Sequence, residues 1–245
     1  MKWQHFYLLP LLILGLGRVQ PVQGLEIQWY GQAAFLFKSD NGIKLITDPY
    51  QPDGFGEKFR YSAIKDSADI VTVSHEHADH NGASSISGNP FILRSLGTQT
   101  VKNIPITGIA SNHDKAGGTL RGKNTIYCFT IDKLRICHLG DLGEIPNAKK
   151  IREIQKEGPF DILLAPVGAV YTLEPDEMKS VIQQLNPRVV IPMHYKTAKM
   201  DLPLLPVEKF LAGQKNVTRL KASTWSITPK TLPAERGIMV LDPSN

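Results

Sequence analysis

The chain carries no dense stripe of lysine and arginine with aromatics interleaved. Its 28 basic and 23 acidic residues in 245 give a formal charge of only +5, so no nucleic-acid surface is expected. Repeats and low-complexity runs are missing as well, which leaves one sizeable domain as the simplest division. The apolar run Phe6 to Leu16 is about half of the roughly 20 residues that a helix needs to cross a bilayer, so no permanent membrane anchor is expected. Cysteine is scarce: the two present are Cys128 and Cys137. Neither follows the apolar run, which argues against a lipid-attached form, and neither has the setting of a nucleophile.

What is present begins with a segment unlike the rest. Residues 1–24 combine a weakly positive start at Met1-Lys2, the apolar run, and small residues at Val22-Gln23-Gly24 where a signal peptidase reads. This predicts a cleaved secretory signal, a mature domain over 25–245, and a periplasmic or secreted protein. Removing Lys2 and Arg18 leaves 26 basic against 23 acidic residues, a net +3. His5 lies in the segment and has no part in the chemistry.

The stretch Val71 to Gly82 is the densest in chemistry. Three of the seven histidines and an aspartate fall within six positions, directly after the β-branched run Ile70 to Val73. On an extended backbone His75 and His77 project the same way and can grip one ion together. Asp79 and His80 follow where the chain is expected to turn into a helix, so they approach from a second direction. Glu76, by alternation, points away as support. Imidazole with carboxylate suits zinc, and manganese or iron where oxygen weighs more. The plain alternative, a polar loop whose histidines only hydrogen-bond, does not account for three histidines and an aspartate at this spacing.

His-x-His-x-Asp-His after a hydrophobic strand resembles the second motif of the metallo-β-lactamase fold hydrolases. The remaining motifs of that superfamily are matched in order by His113 in Ala110 to Asp114, Asp141 in His138 to Gly143, His194 in Ile191 to Tyr195, and Asp48 in Leu45 to Pro49. The resemblance spans about residues 25 to 200. Gly117-Gly118, Leu-Gly-Asp-Leu-Gly and Pro-Met-His-Tyr further resemble the small L-ascorbate-6-phosphate lactonase-like group. It implies an αββα sandwich of four layers around two mixed β-sheets. It also implies two divalent ions, with His75, His77 and His113 on the first, Asp79, His80 and His194 on the second, and Asp141 bridging. Asp48 in this setting is a structural residue near the site, with His138, Tyr195 and Lys196 as further candidates to support the ligands or touch substrate.

The pattern elsewhere agrees with an α/β sandwich. Short strands are expected at 25–29, 33–37, 43–46, 91–93, 99–101, 106–109, 124–131 and 134–138, then helices near 147–156 and 174–185 alternating with strands at 161–166 and 188–192. The tail adds a helix near 207–212 and a strand near 237–241. A two-residue turn at Asp132-Lys133 sets Cys128 opposite Cys137, where either a disulfide or two reduced buried thiols fit. Residues 51–61 read as a loop, which the resemblance implies can overhang the site, so Tyr50, Phe55 and Phe59 either contact substrate or pack locally.

The resemblance implies a hydrolase in which the two ions make hydroxide available from a shared water, and in which Asp79 orients it or relays its proton. The expected substrate is a small molecule with a lactone, ester or amide bond. Phosphodiester hydrolysis is the alternative, and a non-catalytic metal-binding scaffold is the alternative from another class. A true β-lactamase is disfavoured, because a bridging carboxylate from Asp141 adds negative charge where the β-lactam sits. The loops name neither the substrate nor the oligomeric state, which is left open.

Overall fold

The computed structural model describes residues 24–52 and 54–244, together with Met1. The segment read as a signal lies outside the described residues, apart from Met1 and Gly24. Two mixed sheets form the body. The first comprises β1 (Leu25–Gly31), β2 (Ala34–Lys38), β3 (Lys44–Thr47), β4 (Ile70–Thr72), β5 (Phe91–Leu93) and, from the tail, β13 (Thr224–Ile227). Their order is β13-β1-β2-β3-β4-β5, with β3, β4 and β5 parallel. The second comprises β6 (Gly97–Val101), β7 (Ile104–Asn112), β8 (Lys123–Ile131), β9 (Leu134–His138), β10 (Ile162–Pro166), β11 (Val189–Met193), β12 (Val217–Arg219) and β14 (Gly237–Val240). Their order is β12-β14-β11-β10-β9-β8-β7-β6.

Period-two alternation explains how the first sheet buries both faces. Leu25, Ile27, Trp29, Phe35, Phe37, Leu45 and Ile70 face the second sheet in the main core, whereas Ala34, Leu36, Ile46 and Val71 face outward into a smaller cluster. Phe37 meets Phe129 of β8 edge to face across the gap, with centroids 5.1 Å apart. Strands β10 and β11 are buried throughout, as parallel strands covered on both sides are. Helices α1 (Ala148–Ile154), α2 (Pro175–Leu185) and α3 (Val207–Leu211) join this core through residues such as Ile154, Met178, Val181 and Phe210. Helix α2 starts as its Glu-Pro-Asp sequence predicts, with Pro175 in the first turn and a reciprocal capping box between Glu174 and Glu177.

Two local expectations change, at the turn after Asp79 and in the tail. Over the first sheet the expected loop packs Tyr50, Phe59 and Tyr61 ring to ring at 4.9 to 5.4 Å with Met200 and Leu204. Pro49, Pro52, Gly54 and Gly56 punctuate that segment, so a helical repeat has no room. No helix follows Asp79: the chain makes a turn, with the His80 N–H donating to the His77 carbonyl at 2.9 Å, then a single 3-10 turn at Ala83–Ser85. Strands β12 and β13 are extra; both are short and largely exposed, so they lack an apolar alternation to betray them. Among the described residues no helix is long and apolar enough to cross a membrane.

Candidate metal centre

Five strand ends deliver the site to one edge of the sandwich. Asp48 follows β3, the His75 to His80 loop follows β4, His113 follows β7, Asp141 lies three residues past β9, and His194 follows β11. Donor atoms of His75, His77 and His113 lie within 4.8 Å of one another, and those of Asp79, His80, Asp141 and His194 form a second such group. Asp141 is the hub. Its Oδ2 stands 3.2 Å from His80 Nε2, 3.2 Å from His113 Nε2, 3.1 Å from His194 Nε2 and 3.9 Å from His75 Nε2.

The imidazoles are aimed by what lies behind them. Asp48 accepts from His80 Nδ1 at 2.8 Å, from the Ser74 N–H at 2.7 Å, and from the Ser74 hydroxyl. With that hydroxyl committed to Asp48, His75 donates from Nδ1 to Ser74 Oγ at 2.9 Å, which leaves its Nε2 as an acceptor 3.0 Å from His77 Nδ1. Asn124 accepts from the Asp141 N–H at 2.9 Å and donates to Leu139 O and Ser111 Oγ, so the loop bearing the hub is fixed from below. Gln32, which the sequence reading missed, donates from Nε2 to Asp79 Oδ2 at 2.7 Å while its carbonyl accepts from the His194 N–H at 3.0 Å.

The donor set fits divalent cations. Asp79 and Asp141 are buried, and among the described residues no lysine or arginine lies within ion-pairing distance of either. Buried His80 Nε2, His113 Nδ1, His194 Nδ1 and Asp141 Oδ1 find no hydrogen-bond partner. In the metal-free protein, protons take the place of cations. Burial alone would lower His194 and His80, yet Asp141 and its neighbours carry His194 up to about 9 and His80 well above its usual value. Burial would raise Asp79 and Asp141, but the adjacent imidazolium charges hold both well down. His75, desolvated and facing His80, falls to about 3.

Above the donors opens a cavity of about 490 Å³, lined by His77, Asp79, His113, Asp141 and His194 at its floor and by Phe55, Glu76, Ala78, Arg121, Tyr171 and Leu202 around it. Of the aromatic candidates, Phe55 reaches this cavity, whereas Tyr50 and Phe59 are core residues. Glu76 does not support the ligands; it sits at the exposed rim, paired with Arg94 at 2.9 Å. His138 is not presented to the cavity. Its Nε2 donates to Ala33 O at 2.9 Å and its Nδ1 accepts from the Gly140 N–H at 3.1 Å, 3.9 Å from Asp48. Tyr195 and Lys196 also turn away. His194 adopts a left-handed backbone, φ 52°, which breaks strand alternation and swings Tyr195 against Trp29 at 5.1 Å. Lys196 reaches Leu202 O and Asp201 instead. Arg121, Tyr171 and Leu202 were not anticipated; only a position near Gly117-Gly118 or in the loop after β10 hinted at the first two.

Comparison with known proteins places this geometry. A family model for the beta-lactamase superfamily domain matches residues 26–194. The UPF0173 protein of Pyrococcus abyssi is 30% identical over 190 residues, 71% of this chain and 84% of its own length. A UPF0173 metal-dependent hydrolase of Pyrobaculum arsenaticum is 27% identical, over 80% of this chain and 95% of its own. A crystal structure from Thermotoga maritima, described as a zinc-dependent hydrolase of the metallo-β-lactamase superfamily, superposes with a TM-score of 0.71 at 33% identity. It covers 89% of this chain and 98% of that one. Igni18, a metallo hydrolase from Ignicoccus hospitalis, shares the fold at 18% identity and a TM-score of 0.61, covering 90% of this chain and 96% of that one. The strand-end cluster and these likenesses together establish that the chain belongs to the metallo-β-lactamase superfamily, with the UPF0173 metal-dependent hydrolases.

Proposed function

We propose that the chain is an exported hydrolase with a dinuclear centre that opens a lactone, ester or amide bond in a small molecule. His75, His77 and His113 would hold one ion and Asp79, His80 and His194 the other, with Asp141 in reach of both groups, and zinc would suit these donors. The observation that carries this reading is the pair of donor groups converging on Asp141 beneath one open cavity. Divalent ions in such a site supply Lewis acidity, lowering the pKa of a water and polarising the oxygen of the scissile group.

The chain's own residues then have definite tasks. Gln32 donates to Asp79 Oδ2, which leaves Oδ1 to orient an attacking water or take its proton. In the metal-free protein the neighbouring imidazolium charge already outweighs the burial of Asp79 and holds it ionised, and a bound cation would take over that part. Phe55, Tyr171 and Leu202 form apolar walls suited to the carbon frame of a small organic substrate and keep bulk water from its flanks. Hydrolysis through such a site forms no covalent bond to the protein, and no serine or cysteine is presented at the cavity floor.

The test is metal analysis of the mature protein with a panel of lactones, aryl esters, bis-aryl phosphodiesters and a chromogenic β-lactam. About two metals per chain and chelator-sensitive turnover of lactones or esters support the proposal. Turnover confined to phosphodiesters moves the reaction to phosphorus. Tight metal with no turnover, unaltered in function by Asp141→Asn, favours a scaffold.

A further inference from the structure

We infer that the substrate is an anion, and that Arg121 recognises its carboxylate or phosphate group while the scissile bond lies over the donor cluster. This deepens the reading of the site as a hydrolase and rests on it. Arg121 is the only lysine or arginine among the described residues that line the cavity. Among the described residues no carboxylate lies within ion-pairing distance of its guanidinium, unlike those of Arg60, Arg94, Arg135 and Arg219, and the other arginines without such a partner, Arg152, Arg188 and Arg236, do not line the cavity. The negative charge at the mouth, Glu76, is already matched by Arg94 at 2.9 Å. An uncompensated guanidinium thus faces the same space as the donor cluster, and a substrate anion is its natural complement.

The side chain is held for this purpose. Its guanidinium carbon lies 5.5 Å from the centroid of the Tyr171 ring, within cation–π range, and one N–H donates to Val170 O at 3.2 Å. The remaining N–H groups are left for a ligand. The loop beneath is organised by Asp114, whose carboxylate accepts from the backbone N–H groups of Ala116, Gly118, Leu120 and Arg121 at 2.7 to 3.0 Å. Because Asp114 follows His113 directly, one loop fixes both a donor of the cluster and the guanidinium. Little ordering cost then remains when an anion binds. Tyr171, Phe55 and Leu202 sit beside the guanidinium to take the hydrocarbon part.

The experiment compares p-nitrophenyl monoesters of adipic and suberic acids with their methyl-capped neutral counterparts and with the p-nitrophenyl ester of 5-phosphonopentanoic acid, on metal-loaded protein. The readout is the ratio of kcat/KM between charged and neutral esters within each variant, so that a general loss of rate cancels. Wild type should prefer a charged ester at least ~10-fold, mainly through KM, and Arg121→Gln should bring the ratio near one while Arg121→Lys keeps part of it. Whether carboxylate or phosphonate gives the larger ratio identifies the anion. A ratio near one in wild type, or one that survives Arg121→Gln, overturns the inference. Should no ester turn over, the reading of the site as an ester hydrolase fails separately, and calorimetric titration with 6-phenylhexanoate and 6-phenylhexan-1-ol decides the anion site. Weaker binding of the carboxylate alone in Arg121→Gln sustains it, and equal binding in both variants overturns it.

Discussion

The Asp48 carboxylate lies 2.8 Å from Nδ1 of His80 and accepts from both the N–H and the hydroxyl of Ser74. One fully buried group thus sets the orientation of two imidazoles, that of His80 directly and that of His75 through Ser74. Asp48→Asn keeps the shape and the left-handed backbone, φ 39°, that asparagine tolerates, but it cannot accept at both positions. Metal affinity should fall by about 10- to 100-fold with the circular dichroism spectrum retained. A chelator competition titration measures this, and an affinity equal to wild type would remove Asp48 from the account.

Gln32 tests a different link, that between the chain's own amide and the proton-handling carboxylate. Replacing it by Leu removes the 2.7 Å donation to Asp79 but leaves the backbone contact to His194. A hydrogen bond to a charged group is worth about 1.5–3 kcal/mol, so kcat on any identified substrate should fall about 10- to 100-fold at full metal loading. Full loading with unchanged kcat would show that Asp79 needs no positioning by Gln32.

The histidines and carboxylates of the cluster were legible in the sequence because each stands within a few residues of a strand end and carries its own chemistry. The residues that aim them were less so. Gln32 reaches Asp79 across 47 positions and Asn124 reaches Asp141 across 17, contacts that only the closed sandwich creates. Strand alternation accounts for the core faces of β1 to β4 and stops at His194, whose positive φ sends Tyr195 inward, a turn that no local residue pattern announces. The packing over the first sheet was less legible, because aromatic side chains seal it there without any periodic pattern.

Protonation of the metal-free cluster gives a pH signature. His194, raised to about 9 by Asp141 and Asp79 against the effect of burial, adds stability that is complete below its unfolded value near 6.5 and is lost as pH rises through about 9. Thermal melts of chelator-treated protein should therefore show a falling Tm over about pH 6.5 to 9. Metal uptake at neutral pH should release protons, visible as a calorimetric heat that depends on the buffer's ionisation enthalpy. A Tm that rises over that window would contradict an imidazolium at this position.

Cys128 and Cys137 face each other in the β8–β9 register with sulfurs 2.9 Å apart, both buried and both free. Burial pushes the Cys137 thiol well up, so thiolate is scarce and reaction slow. Native protein should not react with a thiol-specific chromogen, and unfolding under non-reducing conditions should expose two thiols per chain. Finding none after unfolding would mean that the pair closes into a disulfide.

Gly168 marks the tightest approach behind a donor of the cluster. A Cβ placed there would stand 2.1 Å from the His194 carbonyl oxygen, a backbone atom that cannot step aside without moving the imidazole. Gly237, by contrast, has only ordinary contacts, 3.6 Å to Asn216 O. Both lie in parallel-strand regions, so the pair separates a general packing cost from displacement of His194. Gly168→Ala should lose metal affinity at least ~10-fold and catalysis more, since misplacing a reacting geometry by about 1 Å costs on the order of 100-fold in rate. Gly237→Ala should bind metal as wild type does. If Gly168→Ala binds metal with wild-type affinity at a Tm close to wild type, the His194 backbone has yielded without penalty, and the close approach at β10 does not set the position of this donor.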